Sequence, residues 1–187
     1  VGSGMSGFAL GVWLFQQTGS TTLLGVVSLC SMLPGLVASP LVGAIVDRVD
    51  RRKVMLWADA ALMLSSLTLT ALLWTGSLRP WHLFTLSAWY SVCNSFVRLA
   101  YAAAVPQLIP KRYLGRANGL AQSGPAMSQV FAPLLAGGLV ASLGLRWVVV
   151  IDLCMFGLAT LTLILLKFPN RLPWRRLEPV MVEIIGG

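Results

Sequence analysis

Charge is scarce in this sequence, so the places where it occurs carry the argument. Six charged residues fall within seven positions at Asp47-Arg48-Val49-Asp50-Arg51-Arg52-Lys53. A carboxylate and a guanidinium cluster at that spacing can cap or face a helix end, pair with one another, and hold lipid headgroups. Three further ionisable residues, Asp59, Arg98 and Asp152, stand alone inside long apolar stretches. Each would cost roughly 2.5 to 3.5 kcal/mol at a lipid-facing helix centre, so each is expected to face protein or water. Asp152 has two readings, an interfacial residue beside Trp147 or a proton-coupling carboxylate. Arg98 can snorkel, bind an anionic group in a polar cavity, or pair with Asp59. A rise of 1.5 Å per residue puts Asp59 and Arg98 roughly 9 and 11 Å from the same membrane face, so an intramembrane ion pair is expected. The competing account sends Arg98 into the cavity and Asp59 toward the charged turn. Asn94 and Tyr101 beside Arg98, and Gln122 further along, add polar capacity for a substrate or proton path, or for hydrogen bonds between helices.

The elements that must position these residues are apolar windows of membrane-crossing length. Of 187 residues, 57% are hydrophobic and 11% charged, with a mean hydropathy of +0.80. A soluble domain needs far more charge to cover itself, and windows of about 19 to 24 residues match a hydrocarbon layer of roughly 30 Å. The spans are read as helix 1 over 8–15 (partial, its start lost), helix 2 over 23–46, helix 3 over 54–74, helix 4 over 83–105, helix 5 over 118–140 and helix 6 over 147–166. The segment Gln16 to Thr22 reads as a loop or loosely wound junction. Residues 1–168 form one bundle, and 169–187 begin a basic loop. Eleven of the fourteen basic residues follow helices 2, 4 and 6: Arg48, Arg51, Arg52, Lys53, Lys111, Arg112, Arg116, Lys167, Arg171, Arg175 and Arg176. Only Arg79 and Arg146 follow helices 3 and 5. The bias places the even-numbered helix ends in the cytoplasm, in a multi-pass protein of the cell inner membrane.

The formal charge of +8 is therefore a membrane-side charge, and no zinc-finger or aromatic RNA-binding pattern accompanies it, so no nucleic acid is expected as partner. Cys30, Cys93 and Cys154 are isolated in apolar windows and read as small hydrophobes. His82 sits beside Trp81 in a polar turn and reads as an interfacial anchor. No phosphate loop is present. The chain is not read as an enzyme, and neither a cofactor nor a metal is expected.

Before the charged turn, Gly43 is expected to allow close helix approach. The turn after helix 2, with Gly43, Asp47, Arg48, Arg51 and Arg52, resembles the loop motif of the major facilitator superfamily; Asp50 stands where that pattern prefers glycine. The stretches Phe8 to Trp13, Pro40 to Gly43 and Leu114 to Gly119 are similar to a bacterial subgroup of exporters related to macrolide and siderophore efflux proteins. The resemblance implies an all-α membrane protein: the amino-terminal six-helix half of a twelve-helix fold, with its first helix truncated and the second half expected in cis. It implies conformational gating by the Asp47 and Arg48 motif. On helix 5 the register Gly119, Ser128, Ala132-Pro133 and Ala136-Gly137 resembles the superfamily's antiporter pattern, with small residues replacing three glycines; with Pro125, it reads either as a bent face that seals the path between halves or as ordinary helix packing. The implied function is proton-coupled efflux of a small amphipathic compound by alternating access. A non-transporting membrane helper and an importer of the same superfamily are the alternatives.

Overall fold

The computed structural model describes residues 2–108 and 111–165. Among them are six helices, α1 (Gly2–Thr18), α2 (Thr21–Arg48), α3 (Arg51–Trp74), α4 (Pro80–Leu108), α5 (Leu114–Leu143) and α6 (Leu145–Leu165), a 3₁₀ turn at Lys111–Tyr113, and no strand. By length and composition α2, α3, α6 and the Asn118–Leu143 part of α5 can cross a membrane. At 28 to 30 residues, α2, α4 and α5 rise roughly 42 to 45 Å, beyond the hydrocarbon layer, so their ends reach headgroups or water. The expected basic stretch of Lys167, Arg171, Arg175 and Arg176 and the expected loop from 169 lie outside the described residues.

Helix 1 differs from its sequence reading. It is already formed at Gly2, not near Phe8, because Gly4 and Ser6, weak helix formers, pack into the bundle. A Cβ added at Gly4 would lie 3.0 Å from Ala132 Cβ and 3.2 Å from Ser128 Oγ on α5. Met5 and Ala9 are buried with Ala132, Ala136 and Val148, which closes α1 onto α5 and α6. The expected loop from Gln16 to Thr22 shrinks to Gly19 and Ser20. The Ser20 side chain accepts from Leu23 N–H at 3.4 Å and caps α2. Similarly, α5 and α6 are joined by Gly144 alone. Its φ of +86 reverses the chain, and its N–H donates to the Leu139 and Val140 carbonyls.

The tightest crossing is between α2 and α4. Gly35 is buried, and a Cβ there would stand 2.5 Å from the Ser91 carbonyl oxygen and 2.6 Å from Ser95 Oγ. Gly35 N–H donates to Ser91 Oγ at 3.0 Å, and Ser95 Oγ donates to the Gly35 carbonyl at 3.2 Å. Pro34 and Pro40 interrupt the ladder of α2, which a membrane helix tolerates when side chains re-satisfy freed groups. Ser39 Oγ does so for the Leu36 carbonyl, the one Pro40 leaves without a donor, at 2.7 Å. At the other end of α4, Pro80 occupies the first helical position and Arg79 N–H donates to His82 Nδ1 at 3.1 Å, a cap made by the histidine. His82 also stacks on Trp81, with ring centroids 3.8 Å apart.

The core has three parts. Val42, Val46, Val54, Met55, Ala100 and Leu163 join α2, α3, α4 and α6 near the charged turn. The α1–α5–α6 cluster sits beside it, and Leu14, Leu69, Leu73, Leu83 and Val149 close the other end. Around them, Leu29, Met32, Leu36, Val37, Leu120, Leu134 and Leu165 are exposed. Such a surface is too apolar for water and suits lipid or another protein face.

Candidate functional site

The charged turn collects helix ends. Helix α2 stops at Arg48, Val49 is extended, and its N–H donates to the Ile45 carbonyl at 3.1 Å. Asp50 then caps α3, its Oδ1 accepting from Arg52 N–H at 2.9 Å. The residue that departs from the motif's glycine therefore has a job: an Asp cap stabilises a helix start by about 1 kcal/mol. Two residues suffice to reverse the chain, so α3 sets off with Arg51 and Arg52 in its first turn, about 100° apart around the axis. They reach different helices. Arg51 Nη1 donates to the Ala103 carbonyl of α4 at 2.6 Å, and Arg52 Nη2 donates to the Ile164 carbonyl of α6 at 2.9 Å. Ile164 lies in the last described turn of α6. The turn thus ties α3 to the ends of α4 and α6, and all the even-numbered helix ends lie on one side.

Asp47 and Arg48 are exposed on the last turn of α2. Gly43, read from sequence as allowing close helix approach, does not serve that purpose within this bundle: a Cβ there would meet nothing within 4 Å. The close approach of α2 is made by Gly35, eight residues earlier, and its signal was the adjacent Pro34.

The expected Asp59–Arg98 ion pair does not form; among the described residues no contact of that kind joins them. Their depths match, but their azimuths do not. Helix α4 faces α2 and α3 with Ala100, which is fully buried, and with Ala104. Arg98 lies roughly 160° around the helix from Ala100 and is exposed, while Asp59 is half-buried. Asn94, Arg98 and Tyr101, spaced i, i+4, i+7, share one side of α4, half-buried or exposed, and Gln122 on α5 is exposed too. On α5 the packing within the bundle is made by Ser128, Ala132 and Ala136 of the expected register, while a Cβ at Gly119 or Gly137 would meet nothing within 4 Å. Pro125 is exposed and Pro133 half-buried.

Asp152 is the other departure. It is 6% exposed, whereas Trp147 is 52% exposed, so the interfacial reading gives way to a buried carboxyl. Helix α6 begins at Leu145, which puts Asp152 roughly 10 Å from that end. Ser6 of α1 lies beside its carboxyl, and the Tyr90 phenol of α4 is within electrostatic reach. A separate cavity of about 680 Å³ opens at the end opposite the charged turn, lined among others by Trp13, Gln17, Arg146 and Trp147.

These features define a class: an all-helical membrane protein with antiparallel spans pinned at one face by a charged turn. A sequence model of the Major Facilitator Superfamily matches residues 1–181, and the chain belongs to that superfamily. It is 29% identical over 158 residues to macrolide efflux protein A of Streptococcus pyogenes, covering 84% of this chain and 39% of that protein. Similarity to macrolide efflux protein A of Enterococcus faecalis is 29% over 152 residues, 81% of this chain and 47% of the relative. Enterobactin exporter EntS of Shigella boydii serotype 4 is 31% identical over 152 residues, 79% of this chain and 35% of that protein. The chain spans less than half the length of these curated relatives, and the fold is that of one half of the superfamily's helical architecture.

Proposed function

We propose that this bundle is the amino-terminal half of a proton-coupled secondary exporter of a small amphipathic compound, working in the inner membrane with its charged turn in the cytoplasm. The second half, supplied in cis, would cover the apolar sides of the bundle. The observation that carries the reading is the turn at Asp47 to Lys53, where Arg51 and Arg52 tie the ends of α4 and α6 to α3. A device that fixes several helix ends to one another lets the half move as a unit against its partner, which alternating access requires. Asp47 and Arg48 stay exposed, at the place where the opposite half would meet them. The uncovered side of α4 with Asn94, Arg98 and Tyr101, together with Gln122, supplies polar contacts for a substrate path. The relatives' names favour macrolides or enterobactin as the first compounds to try.

Within the complete twelve-helix protein, Asp47→Asn is expected to lower pH-gradient-driven flux of a radiolabelled macrolide in proteoliposomes by about tenfold, the change expected when roughly 1.4 kcal/mol is lost between two conformations. Inserted protein should stay level. Flux equal to the parent at matched insertion would reject the gating role.

A further inference from the structure

Asp152 and Ser6 are both more than nine-tenths buried and lie side by side, yet neither Asp152 Oδ1 nor Ser6 Oγ is in a well-formed hydrogen bond. Buried polar atoms in native proteins are almost always paired, so two orphans side by side point to an occupant. The surroundings say what kind. Helix α1 carries no ionisable side chain, and α5 has only Arg116, near its far end. From α4 the Tyr90 phenol is within electrostatic reach of the carboxyl, with Ser3 beside that phenol. On α6 itself Arg146 is six residues away, roughly 9 Å along the axis, and exposed. On α3 the charged groups are Asp59 and the first-turn Arg51, Arg52 and Lys53, nearer the opposite end. Among the described residues no side-chain cation therefore neutralises Asp152, and a carboxylate in such a place is costly.

We infer that Asp152, with Ser6 and Tyr90, forms a proton-binding site at the seam between α1 and α6. A proton needs one oxygen, whereas a metal cation needs a shell that one carboxyl and two or three hydroxyls do not complete. The protonated acid donates an O–H toward Ser6 and lets the neighbouring apolar cluster of Met5, Ala9, Ala132, Ala136 and Val148 close without water. Release of the proton leaves a carboxylate that must be hydrated, and hydration parts α1 from α5 and α6. Occupancy and seam closure are thus linked. As a coupling device the site rests on the export reading; as a proton site it does not.

The test uses the 187-residue chain in phosphatidylcholine vesicles, followed by infrared spectroscopy during a pH titration. A carboxylic-acid carbonyl band that titrates separately from those of the other carboxyls is expected in the parent and is expected to vanish in Asp152→Asn. In Asp152→Glu it should persist, displaced, and Ser6→Ala should move its midpoint. If Asp152→Asn does not insert, the Glu and Ala variants decide alone. Identical titrations in parent and variants would overturn the site. A midpoint that follows sodium when sodium replaces potassium would overturn the proton as occupant. A parent with this band whose twelve-helix form shows no pH-driven flux would sink the export reading and leave the site standing.

Discussion

Gly35→Leu is expected to abolish stable folding of the bundle. The α2–α4 crossing is built on the missing side chain: a Cβ at Gly35 stands 2.5 Å from a backbone oxygen, that of Ser91, which cannot swing aside. Even alanine must push the two helices apart and stretch the hydrogen bonds from Gly35 N–H to Ser91 Oγ and from Ser95 Oγ to the Gly35 carbonyl. Overpacking of that kind costs about 1 to 3 kcal/mol for one methyl group, and leucine adds three more carbons at the same place, taking the loss past about 4 kcal/mol. Detergent-solubilised melting and the yield of monodisperse protein measure it. Gly43→Ala serves as the control on the same helix, since a Cβ there meets nothing within 4 Å. Equal melting of Gly35→Leu and the parent would show that α2 and α4 do not cross at this residue.

Arg51→Ala and Arg52→Ala together should release the charged end of the bundle. Each guanidinium donates one charge-assisted hydrogen bond to a carbonyl, a class worth about 1.5 to 3 kcal/mol, less where solvent competes. The Arg52 bond is the more exposed and should be the weaker. Because the acceptors lie on different helices, the two losses should be nearly additive. Amide hydrogen exchange separates them: Arg51→Ala should deprotect the end of α4 around Ala103, and Arg52→Ala the end of α6 before Leu165. Exchange that rises equally at both ends in either single variant would show that the arginines act as general surface charge and not as separate ties.

How much of this was legible in the sequence depends on which helical coordinate a residue's role uses. Position along the axis is read by counting, so the six helices, the charged turn and the depths of Asp59, Arg98 and Asp152 could be set out in advance. Position around the axis depends on neighbours that spacing does not name. That is why Asp59 and Arg98, matched in depth, face apart, and why Asp152, placed at an interface beside Trp147, is buried beneath α1. Small residues fail in the same way. Gly4 fell outside the helix read from Phe8 and instead makes the contact with α5, while Gly43 read as a contact and the contact is at Gly35. The tie from Arg51 and Arg52 to the ends of α4 and α6 joins residues 52 and 112 positions apart, and no local pattern announces it. Asp50, a departure from the motif's glycine, took its meaning only once α3 was seen to begin at Arg51.

The central claim is that the charged turn and the ends of α4 and α6 share one membrane face, the cytoplasmic one. Single cysteines at Val49, Tyr113 and Ser77, in a chain whose Cys30, Cys93 and Cys154 are replaced by alanine, test it through labelling by an impermeant maleimide in intact cells and in inverted vesicles. Positions 49 and 113 should label only in inverted vesicles and position 77 only in intact cells; labelling of position 49 from outside the cell would contradict the account.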